Sequence, residues 1–462
     1  MLRNESLYVG VDIGKQHHVA GFVSNTLLAR HEHFEGCPVL IFDQSREGFR
    51  QLLDRVQSFV PLEQCFFLME KTGHYHRALE QYLLELDISV YVMHVQERPK
   101  GMLKSDKRDA LMLANHLYNQ LEKGIQVADK SQLVRRAVPP SEAAAQLKGL
   151  TRHRYELMHE STQRKNKLTA ICDELFPEYT VIFKNPNIGT ALAIREKFPT
   201  PHDIATASLT SLIKERVYCH PSDAKFAQLQ QLALQTIGTK DVARQRCLVL
   251  EQKQVIKELK LLQEHIEELD AEICTIIQKS REGKILLSLG IIGPIQAAII
   301  IAAIGNIVNF EKASQLKAYF GWAPKREQTG ISYDRSSLSH TGTRTMKQMM
   351  FLIVISAIRL DNEWARKYER LVPIKCGYDE RTRSHKGKLK VIGCIAGQII
   401  EMIYALLKKD AETLRNLPPG ETPPEPMLYD RAIHQAHKQG NYHSLKPLTK
   451  PEPIVLLPKQ SP

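Results

Sequence analysis

The run Leu7-Tyr-Val-Gly-Val-Asp12, continued by Ile13-Gly14-Lys15, decides how the rest of the chain is read. It is apolar, of strand length, and ends on a carboxylate followed by a glycine, so it reads as a first strand with an acid at its tip. Working outward, His18–Val23 can return beside it as a second strand. Cys65–Glu70 (CFFLME) and Ser89–His94 (SVYVMH) are further aromatic and β-branched runs, and His76–Leu86 between them has helical spacing. Strands flanking helices predict a layered α/β domain over residues 1–125.

Within that domain four acids stand out. Asp12 ends the first predicted strand and Glu70 ends another, while Asp106 and Asp109 lie in Lys104-Ser-Asp-Lys-Arg-Asp-Ala-Leu111, which runs into a helix. Their three-residue spacing puts both aspartates on one helical face. Four carboxylates so placed can converge and hold two divalent cations, and hard oxygen donors suit Mg²⁺ or Mn²⁺. A metal pair can clamp the attacking and leaving oxygens of a phosphoryl transfer. Each acid also has an ordinary reading: Asp12 as a turn former, Glu70 as a partner of Lys71, Asp106 and Asp109 as solvated charges beside Lys107 and Arg108.

From about Ser141 the chain reads as helical. Residues 141–175 mix small residues with Arg152, Arg154, Arg164, Lys165 and Lys167. Val255, Leu259, Leu262, Ile266, Leu269, Ile273 and Ile276 recur at alternating spacings of four and three, the seam of a coiled-coil-like helix. That seam predicts either antiparallel pairing with the 141–175 helix or dimerisation. Residues 126–280 are therefore expected to be a helical linker and 281–416 a mainly α C-terminal domain. Residues 417–462 hold 10 of the 23 prolines and read as an extended tail or surface arm.

The 462 residues carry 63 Lys plus Arg against 51 Asp plus Glu, a net charge of +12 that favours a polyanionic partner. The N-terminus lacks a signal-peptide pattern. Residues 285–308 are uncharged and long enough to cross a bilayer, but Gly290, Gly293, Pro294, Gln296 and Gly305 interrupt them. Two short buried helices around a turn are expected there, with no membrane partner. The eight cysteines contain no CxxC pair, which suits reduced thiols and a cytoplasmic location.

The segments YVGVDIGK, MEKTGHYHRAL and LKSDKRDALMLA together resemble the insertion-sequence-110 family of transposases. The resemblance implies an RNase H-like (RuvC-like) first domain with Asp12, Glu70, Asp106 and Asp109 as its metal-binding tetrad. Far downstream, Ser288–Ala303 and FEKASQLKAYFGWAPKR (310–326) look like the family's C-terminal transposase domain. The family's Ser-Gly and Ser-Lys-x-Gly pattern corresponds to the stretch from Thr329-Gly330 to Ser339-His-Thr-Gly342. The resemblance spans roughly residues 5–410.

Two departures matter. Thr329 stands where the family has its nucleophilic serine; threonine also offers a hydroxyl, but its methyl crowds the attack. Ser332 is the alternative nucleophile. The turn Gly290-Ile-Ile-Gly293-Pro294 resembles the family's helix-hairpin-helix-like Pro-Gly-Ile-Gly, with Ile291 in place of the first glycine and Gly290 in place of the proline. It is read either as a phosphate contact or as a plain helix–helix turn. Residues 325–390 carry 15 Lys or Arg against 7 Asp or Glu, a surplus of +8. Arg326, Arg335, Arg344 and Lys347 surround the candidate nucleophile, with Arg381, Arg383, Lys386, Lys388 and Lys390 beyond. Phosphate neutralisation is the natural use of such a cluster.

The resemblance implies a transposase or site-specific recombinase that joins DNA covalently to a hydroxyl of the C-terminal domain. It further implies a composite site drawing on both domains, a homo-oligomer, and in some relatives a non-coding guide RNA, for which the 141–175 helix and the first domain are candidate surfaces. Rival readings are a DNA invertase of the same chemistry and a catalytically impaired nucleic-acid-binding relative.

Overall fold

The computed structural model describes residues 5–70, 73–93, 105–125, 135–217, 221–329, 333–338, 342–418 and 420–431; for 135, 325–329 and 333–337 this extends to the backbone alone. The chain divides into two compact units, Met1–Pro139 and Pro140–Pro462.

The first unit is built on a six-stranded sheet. Its strands are β1 (Leu7–Asp12), β2 (His17–Val23), β3 (Val39–Asp43), β4 (Cys65–Glu70), β5 (Ser89–Met93) and β6 (Arg135–Arg136), in the order β3-β2-β1-β4-β5-β6. β1, β2 and β3 are antiparallel neighbours, whereas β1, β4 and β5 run parallel. β1 is buried along nearly its whole length, which suits a central strand covered on both faces.

Four helices accompany the sheet: α1 (Asn25–His31), α2 (Arg46–Gln57), α3 (His76–Glu85) and α4 (Asp106–Leu121). α2 starts on Ser45, whose side chain accepts from the Gly48 N–H, and buries Phe49, Leu52, Leu53 and Val56 as one apolar stripe. α4 lies on the other face, burying Ala110, Leu111, Leu113, Ala114 and Leu117. The strands and the helix expected around Asp12, Glu70 and His76 are present. β3 was not legible because its pattern is half exposed, as an edge strand's can be. The unit extends past residue 125 because β6 pairs with β5.

The second unit opens with α5 (Glu142–Leu175), which runs antiparallel to α11 (Val242–Lys279). Ion pairs Arg154–Asp270, Arg164–Glu258, Lys167–Glu251 and Glu174–Arg244 follow one another down the pair in opposite chain directions. Val255, Leu259, Ile266 and Ile273 of the expected seam are buried. Pairing within the chain is therefore what this seam does here. Between the two helices, five short ones, α6 (Tyr179–Ile182), α7 (Gly189–Lys197), α8 (Pro201–Thr206), α9 (Leu209–Lys214) and α10 (Asp223–Leu234), enclose a core that includes Tyr179, Ile194 and Phe226.

The remainder comprises α12 (Arg281–Leu287), α13 (Pro294–Ile304), α14 (Ala313–Tyr319), the ribbon β7 (Pro324–Thr329) and β8 (Tyr333–Leu338), α15 (Arg344–Ala357), α16 (Glu363–Lys375), the hairpin β9 (Gly377–Asp379) and β10 (Ser384–Lys386), and α17 (Leu389–Arg415). Their core takes in Ala143, Leu147, Ile273 and Ile277, so the base of the long helix pair is continuous with this part. The stretch 285–308 forms α12, a turn and α13, as its glycines and proline indicated. α17 is long and apolar enough to cross a membrane by length and composition, but half of its apolar window is buried in this core. Residues 420–431 lie along the surface: Pro424 O accepts from Arg281, and Tyr429 bonds to Ser288 and Glu363. The seven described cysteines are all free.

Candidate functional site

The parallel register pairs Val11 with Met69, so Asp12 and Glu70 come next on adjacent strands and leave the sheet at the same edge. α4 brings the other two acids. Its approach is close because β1 and β2 present glycine beneath it: a Cβ on Gly10 would lie 2.2 Å from Ala110 O, and one on Gly21 2.8 Å from Leu111 N. The helix starts on Ser105, whose side chain accepts from Arg108 N at 3.2 Å. Asp106 and Asp109 then fall in its first turn, where the helix dipole favours negative charge.

The result is a convergence. Ligand oxygens of Asp12, Asp106 and Asp109 lie within 4.8 Å of one another, with Asp106 exposed, Asp12 half-buried and Asp109 buried. Glu70 joins Asp12 and Asp109 in lining a cleft of about 110 Å³ with Met93, Met112, Leu113 and His116. Oxygens on one octahedral Mg²⁺ stand about 3 to 4 Å apart, given bonds of about 2.1 Å. The all-carboxylate donor set fits a hard divalent cation.

Sequence reasoning missed two histidines here. His116 lies two helical turns beyond Asp109, and that spacing alone could have placed it on the same face. His18 sits under the sheet edge, fully buried against Phe42 and Phe49. Its Nδ1 accepts from Gly14 N at 3.2 Å, and its Nε2 bonds to Gln44 Oε1. Gln44 Nε2 donates to Tyr75 O at 3.2 Å. This chain of bonds ties the turn after Asp12 to the segment after Glu70. Burial lowers the His18 pKa, keeping the ring neutral as its acceptor role requires.

The candidate nucleophile lies in the second unit. β7 and β8 form a β-ribbon: Lys325 pairs with Ser337, Arg326 with Ser336, Glu327 with Arg335, and Thr329 with Tyr333. Thr329 is the last residue of β7, and Ser332 lies outside the described residues. After the ribbon, Gly342 (φ 105°) presses on Gly321, to which a Cβ would approach within 2.5 Å, and Thr343 N donates to Tyr319 O at 2.9 Å. These contacts anchor the start of α15. Arg344 is its first residue and exposed, with Lys347 one turn further.

In the α12–α13 turn Gly290 has φ 67°, a left-handed conformation that suits glycine. Gly293 caps α13, and its N–H donates to Gln296 Oε1 at 2.9 Å. That N–H is engaged within the turn. Along α5, Arg154, Arg164 and Lys167 are ion-paired to α11, whereas Arg152 and Lys165 are exposed.

Family profiles match both regions. The profile of IS110-type DEDD transposases, described as "Transposase", covers residues 9–177, and that of the "Transposase IS116/IS110/IS902 family" covers 283–370. The chain belongs to the IS110 family of transposases. It is 21% identical over 333 residues to an uncharacterized 43.6 kDa protein of insertion element IS110 from Streptomyces coelicolor, spanning 69% of this chain and 74% of that protein. It is 22% identical over 375 residues to an uncharacterized 44.8 kDa protein of insertion element IS116 from Streptomyces clavuligerus, spanning 77% and 84%. As an IS110-family transposase it is a DNA-cleaving and rejoining enzyme. The first profile contains the acidic cleft, and the second contains the ribbon, the α12–α13 turn and Arg344.

Proposed function

We propose that this transposase works through two sets of residues: a divalent-metal site made by Asp12, Glu70, Asp106 and Asp109, and a hydroxyl nucleophile at Thr329, with Ser332 as the alternative. The carrying observation is that Asp12, far from them in sequence, brings its oxygen within 4.8 Å of those of Asp106 and Asp109. The sheet order, with three antiparallel strands followed by two parallel ones, supports reading residues 1–125 as RNase H-like, of the RuvC-like kind. We keep 126–280 as the helical linker, its beginning adding β6 to the sheet, with 281–416 as the transposase domain and 417–462 as the tail. Mg²⁺ or Mn²⁺ held by the four carboxylates would supply Lewis-acid stabilisation of phosphate oxygens.

The Thr329 Oγ1 attacks the scissile phosphorus and loses its proton. The P–O bond to the deoxyribose oxygen breaks, and that oxygen leaves as a hydroxyl. A protein–DNA phosphoester conserves the bond energy, so a second deoxyribose hydroxyl can reverse the step on a new strand and free Thr329. Arg326, Arg335, Arg344 and Lys347 neutralise the phosphates beside it. Gly290 and Gly293 are retained as a phosphate-contacting turn. A homo-oligomer and a guide RNA belong to this reading. With Arg154, Arg164 and Lys167 ion-paired to α11, the exposed Arg152 and Lys165 are the cations of α5 that this reading assigns to RNA.

The test is DNA cleavage followed by denaturing gel electrophoresis. A covalent adduct should require Mg²⁺ and vanish in Asp12→Asn. The threonine at the family's serine position favours one rival, a catalytically impaired DNA-binding relative; that rival predicts no adduct, and recovery of one in Thr329→Ser. A DNA invertase differs only in how its sites are arranged, so inversion assays on paired sites separate it.

A further inference from the structure

We infer that the β9–β10 hairpin is a second DNA-contacting element, a clamp on phosphates flanking the one attacked, with Arg381 and Arg383 as its cations. The inference rests on the nucleophile reading only for the word flanking. Three observations carry it.

The first is an unusual residue at the tip. The hairpin pairs Asp379 with Ser384 across the four residues Glu380–Arg383, and Arg383 holds φ 48°. This left-handed region is natural for Gly or Asn and uncommon for a long side chain such as Arg. A residue kept in strain at an exposed tip points to a use for its side chain.

The second is the disposition of charge. Asp379 accepts from Arg381 N at 3.1 Å and from Thr382 Oγ1 at 2.9 Å, and it pairs with Lys386. These contacts hold its carboxyl below the usual range, with Lys386 the leading cause. The acid and one lysine thus neutralise each other within the hairpin. Arg381, Arg383, Lys388 and Lys390 are all exposed, as is Tyr378 at 59%.

The third is location. β10 runs directly into α17, and a Cβ on Gly393 in its first turns would meet the Leu338 side chain at 3.4 Å. Leu338 ends β8, the partner strand of the one that carries Thr329. The helix that the basic hairpin leads into therefore packs at the Pro324–Leu338 end of the ribbon, and the proposed clamp would take a duplex that continues past that end.

The test measures binding of the full chain to fluorescent random-sequence duplex DNA over a salt series. Each phosphate contact removed should flatten the slope of log K against log salt by about 0.9. Arg383→Gly should flatten it by about 0.9 and Arg381→Ala with Arg383→Gly by about 1.8. Arg383→Gly also relieves the strain, so its melting temperature should hold or rise while affinity falls. Arg381→Lys with Arg383→Lys should keep the wild-type slope. An unchanged slope in the double variant would make the hairpin a solvated face and overturn the inference. So would a slope change seen with single-stranded RNA but absent with duplex DNA. Binding of random-sequence duplex involves no strand cleavage, so a failed nucleophile reading leaves this result intact.

Discussion

Asp109 illustrates how one residue acquires a role through its surroundings. In the sequence it is one of 51 acids; in the fold it is buried on the sheet-facing side of α4, beside Asp12 and Asp106. Like charges so close repel one another, and a divalent cation relieves that repulsion. Asp109→Asn should lower metal-dependent cleavage by more than the 10- to 100-fold typical of outer-shell partners, measured in single-turnover assays. His18 makes a pH prediction. Its pKa lies below the ordinary 6.5 because burial penalises the charged ring. Between the two values the unfolded chain binds more protons than the folded one, so stability rises with pH there. The contribution is complete above about 6.5 and is lost as pH falls through the folded value. Thermal melts from pH 5 to 7 should show this, and His18→Gln should flatten the dependence.

At the scale of elements, α4 sits where it does because Gly10 and Gly21 leave room for it. Gly10→Ala would put a carbon 2.2 Å from Ala110 O and push the helix outward. The expected loss is about 1–3 kcal/mol, with weaker Mn²⁺ binding as the acids separate, read by calorimetry. Arg281 does a similar job for the C-terminal core, bonding Asp410 on α17 through two nitrogens and Pro424 O through a third. Asp410 is buried and Arg281 a quarter exposed. Arg281→Ala should therefore destabilise by about 2–3 kcal/mol, short of the value for a fully buried pair. Much of this was legible in the sequence. Apolar strands ending in acids announced the sheet edge, and a three-residue spacing announced a shared helical face. The β7–β8 ribbon was not legible, because PKREQT and YDRSSL lack the apolar alternation that marks a strand. His18 was hidden for a different reason: its partner Gln44, and Tyr75 beyond it, are brought to it only by the fold.

For the whole molecule, the sequence's diffuse +12 separates into distinct uses. Along the long helix pair, cations such as Arg154 and Arg164 are matched by acids of α11. In the C-terminal part, Arg344, Arg381 and Arg383 are exposed to solvent. Metal binding to the folded acids should also raise the melting temperature, by the equivalent of about 2.7 kcal/mol at a hundredfold excess over Kd. Asp12→Asn should abolish that gain. The central claim is a phosphoester between DNA and a C-terminal hydroxyl, formed only when the acidic site is intact. Its most direct measurement is mass spectrometry of the nucleotide-bearing peptide trapped during strand cleavage in Mg²⁺. We predict a nucleotide on Thr329, absent from Asp12→Asn; recombination proceeding with no nucleotide on any residue of 324–338 would contradict the account.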